Sequence, residues 1–246
     1  MSFQATEFEF RNRFWLIGLM YGLTFGSYRL DSTPIVEAGA RAILSWGHPG
    51  TVVNPDAPEF ANAVQVIFAL GTLLLIAAAL LRTWATSFLH SAVVHDSNLH
   101  SERLVADGPY RHLRNPLYVG TMLQAVGIGF MASRLGFVVL LVTGLIIHMR
   151  LIRREEAGLL QSQGESYRRY FAAVPQVLPS FRARVPGSGA QPNWRDGLLG
   201  EMFFWIFAAG MAVFTVTLNT NHFFIALGVG FALYFLQNYL RMGRLA

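Results

Sequence analysis

Apolar residues in this chain come in long blocks, and polar residues gather between them. A membrane-spanning helix needs roughly 20 apolar residues, with ~17 as the usual minimum. Blocks of this kind fall at 14–28, 60–81, 117–133, 135–152, 198–218 and 222–240. The pattern predicts six spans and an all-α, polytopic membrane protein. The first block is short but uncharged. Its Gly18, Gly22 and Gly26 repeat at four-residue spacing, a face that lets another helix approach closely. Blocks 117–133 and 135–152 flank Arg134 and predict a tight helical hairpin, and a second hairpin is expected around Asn219, Thr220 and Asn221.

The polar stretches carry structure of their own. Between the first two blocks, 29–59 contains PIVEAGARAILSWG, with Glu37 and Arg41 four residues apart, as in an amphipathic surface helix. NPDAPEF then leads back into the membrane. Segments 82–116 and 153–197 are longer than plain connectors, and loops of that size usually have a task. In the second, Tyr167, Tyr170, Phe171 and Val174 follow the i, i+3, i+4, i+7 pattern of one helix face. An interfacial helix is expected over 164–174, ended by Pro175 and Pro179. VPGSGAQPNW at 185–194 has the composition of a flexible linker. Three regions result: an N-terminal transmembrane region (1–81), a core with the hairpin 117–152 (82–184), and a linker with the C-terminal hairpin (185–246).

Composition strengthens the membrane assignment. The chain is 53% hydrophobic and 13% charged, against about a quarter charged in ordinary soluble domains. All 19 basic residues are arginine, and the net charge is +5. Such a balance raises nucleic acid as a partner, but the arginines sit at the ends of apolar blocks and act as topology signals instead. With both termini cytoplasmic, only Arg29, Arg41 and Arg134 fall outside. The first block is expected to be a retained span, since no small-residue cleavage site follows it. A bacterial inner membrane is the expected location. The absence of cysteine excludes disulfides, thiolate metal sites and a cysteine nucleophile.

Candidate chemistry gathers on the cytoplasmic side. GPYRHLRNPLYVG, 108–120, places Arg111, His112 and Arg114 between two prolines at the start of an apolar block. Pro109 and Pro116 hold the backbone extended or turning, which leaves donors free for a ligand. RREE at 153–156 ends another block; adjacent carboxylates on a helix point about 100 degrees apart, so one can face a pocket while the other pairs with arginine. His90, His95 and His100 recur at five-residue spacing, which scatters them around a helix, and no metal site is expected. His148 is a lone ionisable group near the inner end of its span. Gly127–Gly129 and Gly228–Gly230 suit helix packing better than phosphate binding.

LVADGPYRHLRNPLYVG, an apolar hairpin, and then RREEAGLLQSQGESYRRYFAAVPQVLP together resemble the isoprenylcysteine carboxyl methyltransferase and phospholipid methyltransferase group of integral membrane enzymes. The resemblance covers about 82–180, and the combined motifs at hairpin spacing are more specific than either half. It implies S-adenosylmethionine as cofactor, held by Gly108, Tyr110, Arg114, Asn115, Pro116, Leu117, Tyr118, Gly120, Glu155 and Glu156. Catalytic roles are implied for Arg114, Asn115 and Glu155. Asn115 stands where the group commonly has histidine; it can donate and accept hydrogen bonds but cannot titrate. An arginine grip on the cofactor carboxylate and a glutamate on its ammonium or ribose would suit this donor.

The expected acceptor is lipidic or membrane-partitioned. A prenylcysteine-like carboxylate needs no base, whereas a phospholipid amine must first lose a proton, and the sequence offers no evident base. Two other classes remain: a membrane reductase holding NADPH in a related fold, and a non-enzymatic membrane scaffold in contact with membrane lipids.

Overall fold

The structure, a computed structural model, describes residues 3–46, 52–94 and 106–242, of which 90–94 and 240–242 are described in backbone only. Among these residues it is all-α: α1 (Glu7–Arg11), α2 (Arg13–Gly26), α3 (Ile35–Leu44), α4 (Pro58–Val94), α5 (Pro116–Gly129), α6 (Arg134–Ala173), α7 (Trp194–Gly200), α8 (Met202–Thr217) and α9 (Thr220–Met242). Short 3₁₀ turns occupy Ser27–Arg29 and Gly108–Arg111.

Six spans were expected, and the described helices give fewer that suffice alone. Three are long and apolar enough to cross a membrane: Pro58–Leu89, Arg134–Ala173 and Thr220–Tyr239. A fourth results if α7 and α8, joined through Glu201, count as one broken span. The other two candidates are too short. α2 and α5 have 14 residues each, roughly 21 Å at 1.5 Å per residue, against a hydrocarbon core of ~30 Å. α2 tightens into the 3₁₀ turn after Gly26, where the apolar pattern runs on to Tyr28. α5 stops at Gly129, whose carbonyl accepts a turn hydrogen bond from Ala132 N.

The chain divides into two compact units. The first comprises Met1–Gly22, Ala77–Leu123 and Leu141–Glu201; the second comprises Leu23–Ile76, Gln124–Leu140 and Met202–Ala246.

In the second unit, the surface helix expected after the first block is α3. It buries Val36 and Ala40, while Arg41 lies 5.3 Å from the Phe60 ring centre. The turn between α5 and α6 is pinned from the chain before α3. Arg134 Nη2 and Nε reach Asp31 at 3.1 and 3.2 Å, and Ser27 Oγ lies 2.8 Å from Ser133 Oγ. The core joins Phe68, Leu75, Ile206, Met211 and Phe214, with the Phe68 and Phe214 rings edge to face at 4.8 Å. Gly127 packs as expected: a Cβ there would lie 2.8 Å from the Gly71 carbonyl. The face of Gly18 and Gly22, in the first unit, and Gly26, in the second, does not, because a Cβ on any of them would meet nothing within 4 Å among the described residues.

In the first unit, α6 breaks at Gly164, whose φ of 54° is a left-handed conformation that suits glycine. Beyond the break the expected interfacial helix forms. Tyr167, Tyr170 and Val174 are buried together, packed by Leu159, Leu160, Ala106 and Val185. Phe171 instead remains 37% exposed, so that it covers a neighbouring guanidinium rather than core. The expected flexible linker is irregular but tied down. Asp107 accepts from Ser188 N (2.7 Å) and Ser188 Oγ, Val185 O accepts from Arg111 Nε, and Ser87 O accepts from Asn193 N.

The chain before α2 is also fixed. Thr6 and Glu9 form a capping box, Glu9 pairs with Arg150 at 2.7 Å, Glu7 pairs with Arg154, and Ala5 N donates to Arg150 O. The Arg150 hydrogen bond, the largest cause, lowers the Glu9 carboxyl from 4.5 to about 2. A folded value below the unfolded one makes this contribution fully present above pH 4.5 and lost as pH falls through about 2. Accordingly, Glu9→Gln should loosen residues 3–11 at neutral pH, seen as faster trypsin cleavage at Arg11. The same change should add little at pH 2, where pepsin cleavage beside Phe8 and Phe10 reads the same segment.

Candidate cofactor site

The segment 108–120 is built to turn without a regular helix and then start one. Gly108 has φ of 55°, and a Cβ there would fall 2.4 Å from the Phe88 ring. Pro109 and Tyr110 are buried, and Tyr110 O accepts from Tyr170 OH at 2.8 Å. Burial pushes the Tyr110 phenol well above its ordinary value and keeps it protonated. Pro116 opens α5, where a missing N–H costs nothing.

Glu156 is the hub of this region. Its Oε1 accepts from Arg114 Nε at 2.8 Å and Asn115 Nδ2 at 2.9 Å; its Oε2 accepts from Gln176 Nε2 at 2.8 Å. Arg114 Nη1 donates to the carbonyls of Phe171 and Val174 at 2.6 Å each, and its guanidinium carbon sits 4.0 Å from the Phe171 ring centre. Arg114 N donates to Pro175 O, and Asn115 Nδ2 also reaches Gln176 O. Thus Arg114, Asn115 and Glu156 clamp the segment to the end of α6. In this place Asn115 acts as a donor, a task that needs no titration.

Glu155 plays a different part. Its Oε1 accepts from Tyr118 OH at 2.8 Å, and its other oxygen has no partner among the described residues. The expected division, with one glutamate pairing with arginine and the other facing a pocket, is not the arrangement found. Glu156 does both, and Glu155 does not line the cavity beside it. That cavity, of about 470 Å³, is lined by Phe3, Gln4, Arg114, Arg153, Glu156, Ala157, Leu160, Phe171 and Gln176. Arg153 lies 5.0 Å from the Phe3 ring centre and has no carboxylate partner among the described residues. Arg153 is therefore the guanidinium of this lining without a carboxylate partner, while Arg114 lines the same cavity with its Nε and Nη1 engaged.

Leu117 and Gly120 serve a second buried ion pair that sequence reasoning did not single out. Arg82 Nε and Nη2 grip Glu201 Oε2 and Oε1 at 2.6 and 3.1 Å, and Arg82 Nη1 donates to Leu117 O and Thr121 Oγ1 at 2.9 Å each. Thr86 Oγ1 donates to Glu201 Oε1 at 2.6 Å. A signal was present: Glu201 is a single acid at the head of an apolar block, and such groups are costly unless paired. Gly120 makes room for the Arg82 stem. A Cβ there would lie 2.4 Å from Arg82 Cγ and 2.9 Å from Cδ. Since Glu201 fixes the head of that arginine, Gly120→Ala should destabilise the protein by about 1–3 kcal/mol, measured by thermal unfolding in detergent.

His90, His95 and His100 lie outside the described side chains. Among the described residues, no group of three histidine, aspartate or glutamate side chains is placed to hold a metal ion.

Comparison with known proteins adds a family to this geometry. The family of phospholipid methyltransferases matches residues 66–165, which include Arg82, the whole segment 108–120, and Glu155 with Glu156. The matched segment ends before Phe171, Val174 and Gln176, so these partners of the clamp lie beyond it. The chain is also similar to the cobalt-zinc-cadmium resistance protein CzcN of Cupriavidus metallidurans, with 26% identity over 155 residues. That alignment covers 62% of this chain and 64% of the relative, so the chain spans less than two thirds of its relative's length. No solved structure matches.

Proposed function

We propose that this protein is an S-adenosylmethionine-dependent methyltransferase acting on a membrane-partitioned acceptor. The observation that carries the proposal is the Glu156 clamp on a cavity lined by the unpaired Arg153. Its size lies within the ~300–1,000 Å³ common for small-molecule sites. The lining suits a zwitterionic nucleoside: a guanidinium for a carboxylate, amides of Gln4 and Gln176 for hydroxyls, and the aromatic faces of Phe3 and Phe171 beside a cation.

In this proposal Arg153 holds the carboxylate of the cofactor, and Glu156 with Gln176 meets its ammonium or ribose. Gly108, Tyr110, Arg114, Asn115, Pro116, Leu117, Tyr118 and Gly120 form the supporting wall, with Glu155 beside the reacting groups. S-adenosylmethionine supplies an electrophilic methyl carbon. The work of the protein is then to align donor and acceptor and to exclude water. The arginine asymmetry supports a cytoplasmic mouth for the site, with both termini on that side, in a bacterial inner membrane.

Calorimetry on detergent-purified protein, with S-adenosylmethionine and NADPH titrated separately, tests the proposal. Micromolar binding of the first alone is expected, and Arg153→Ala should weaken it by about tenfold or more with unfolding unchanged. Binding of NADPH alone would favour a reductase. Binding of neither to folded protein would leave a scaffold.

A further inference from the structure

His148 is 1% exposed, on α6 in the first unit. Its Nδ1 lies 2.7 Å from the Gly144 carbonyl oxygen, which can only accept, so Nδ1 carries the proton. In the neutral ring Nε2 then presents a lone pair. That atom is buried and has no hydrogen-bond partner among the described residues. An unmet buried polar atom costs about 1–3 kcal/mol, and such atoms in a folded protein call for an explanation.

Its surroundings point to one. Seven residues on, a spacing that returns to the same helix face about 10 Å along the axis, stands Glu155. Tyr118 of α5 bridges the two: its hydroxyl donates to Glu155 Oε1, and its ring meets the His148 ring edge to face at 6.0 Å. Ile152 between them is fully buried. One face of α6 therefore carries His148 and Glu155, and Tyr118 of α5 lies against both.

We infer that His148 Nε2 receives the proton-bearing group of the methyl acceptor, an amine N–H or a hydroxyl O–H, and takes its proton. The inference rests on the methyltransferase proposal and narrows its acceptor. The proton leaves the acceptor nitrogen or oxygen for Nε2. The electron pair left behind forms the bond to the methyl carbon, whose bond to sulfur breaks with its pair remaining on sulfur. A carboxylate acceptor has no proton to offer and would face the Nε2 lone pair directly. The base that the sequence did not display is thus an intramembrane histidine positioned by a helix carbonyl.

The test uses full-length protein with ¹⁵N-labelled histidine, the His148 signals being assigned by comparison with His148→Gln. Three short-chain lipids with matched tails serve as probes: dioctanoylphosphatidylethanolamine (N–H), dioctanoylglycerol (O–H) and dioctanoylphosphatidylcholine (neither on the headgroup nitrogen). The Nε2 resonance should shift with the first or the second, which separates amine from hydroxyl, and remain in place with the third. His148→Leu should weaken binding of the recognised lipid by about tenfold or more. Should that variant fail to fold, His148→Gln serves: its carbonyl can still accept the hydrogen bond, so KM should hold while kcat falls.

A resonance at its hydrogen-bonded position without lipid, unmoved by all three probes, would overturn the inference in favour of a buried structural water. So would equal response to the phosphatidylcholine probe. Binding of S-adenosylmethionine is measured on the same samples. Its loss in the unsubstituted protein would reject the methyltransferase proposal, whereas its retention with a silent Nε2 would reject only the role of His148.

Discussion

Glu156→Ala is expected to destabilise the protein by about 3–5 kcal/mol, the cost of breaking a buried ion pair from one side. The side chains of Arg114 and Glu156 are 8% and 5% exposed, so the pair is largely withdrawn from water. Removing the carboxylate strands three donors at once: Arg114 Nε, Asn115 Nδ2 and Gln176 Nε2. It also releases the end of α6 from the segment 108–120. The neighbouring acid should behave otherwise. Glu155→Gln keeps an acceptor for the Tyr118 hydroxyl and should change stability by less than about 1 kcal/mol, while methyl transfer falls. Thermal unfolding in detergent, alongside turnover, separates the two. Equal stability losses for both variants would mean that the paired glutamates share one role.

Arg82→Ala should cost a similar amount, about 3–5 kcal/mol, because it leaves Glu201 buried with only Thr86 as a described side-chain donor. The pair itself is not required for stability. Taking two charges out of water offsets much of their attraction, so a well-packed apolar replacement of both is often neutral or better. Arg82→Met with Glu201→Met should therefore recover most of the loss from either single change. A double variant as unstable as Arg82→Ala would show that the bonds to Leu117 O and Thr121 Oγ1 dominate instead. Neither residue touches the cavity, so cofactor affinity in the refolded double variant should stay within a few fold of the original.

Periodicity made the helices and hairpins legible because it reports which faces are apolar. Tyr167, Tyr170 and Val174 were placed correctly on one buried face, and the hairpin turn at Arg134 fell where the charge interrupts the apolar blocks. Helix ends were less legible, since α2 and α5 stop at glycines inside continuing apolar runs. Pairings over long sequence distance were not legible at all. Nothing in RREE says that Glu156 rather than Glu155 meets Arg114, because that depends on the rotation of α6 about its axis. For the same reason Arg82 and Glu201, 119 positions apart, gave no joint signal. That Arg153 and not Arg114 lacks a carboxylate partner is visible only once the clamp to Glu156 and the carbonyls of Phe171 and Val174 is in view.

A donor site at the Glu156 cavity is tested most directly by hydrogen–deuterium exchange on purified protein with and without saturating S-adenosylmethionine. Slower exchange is expected in 108–120 and 153–177, and in the segment around Phe3 and Gln4 that lines the same cavity. Unchanged exchange in all three, or protection confined to α8 and α9, would contradict it.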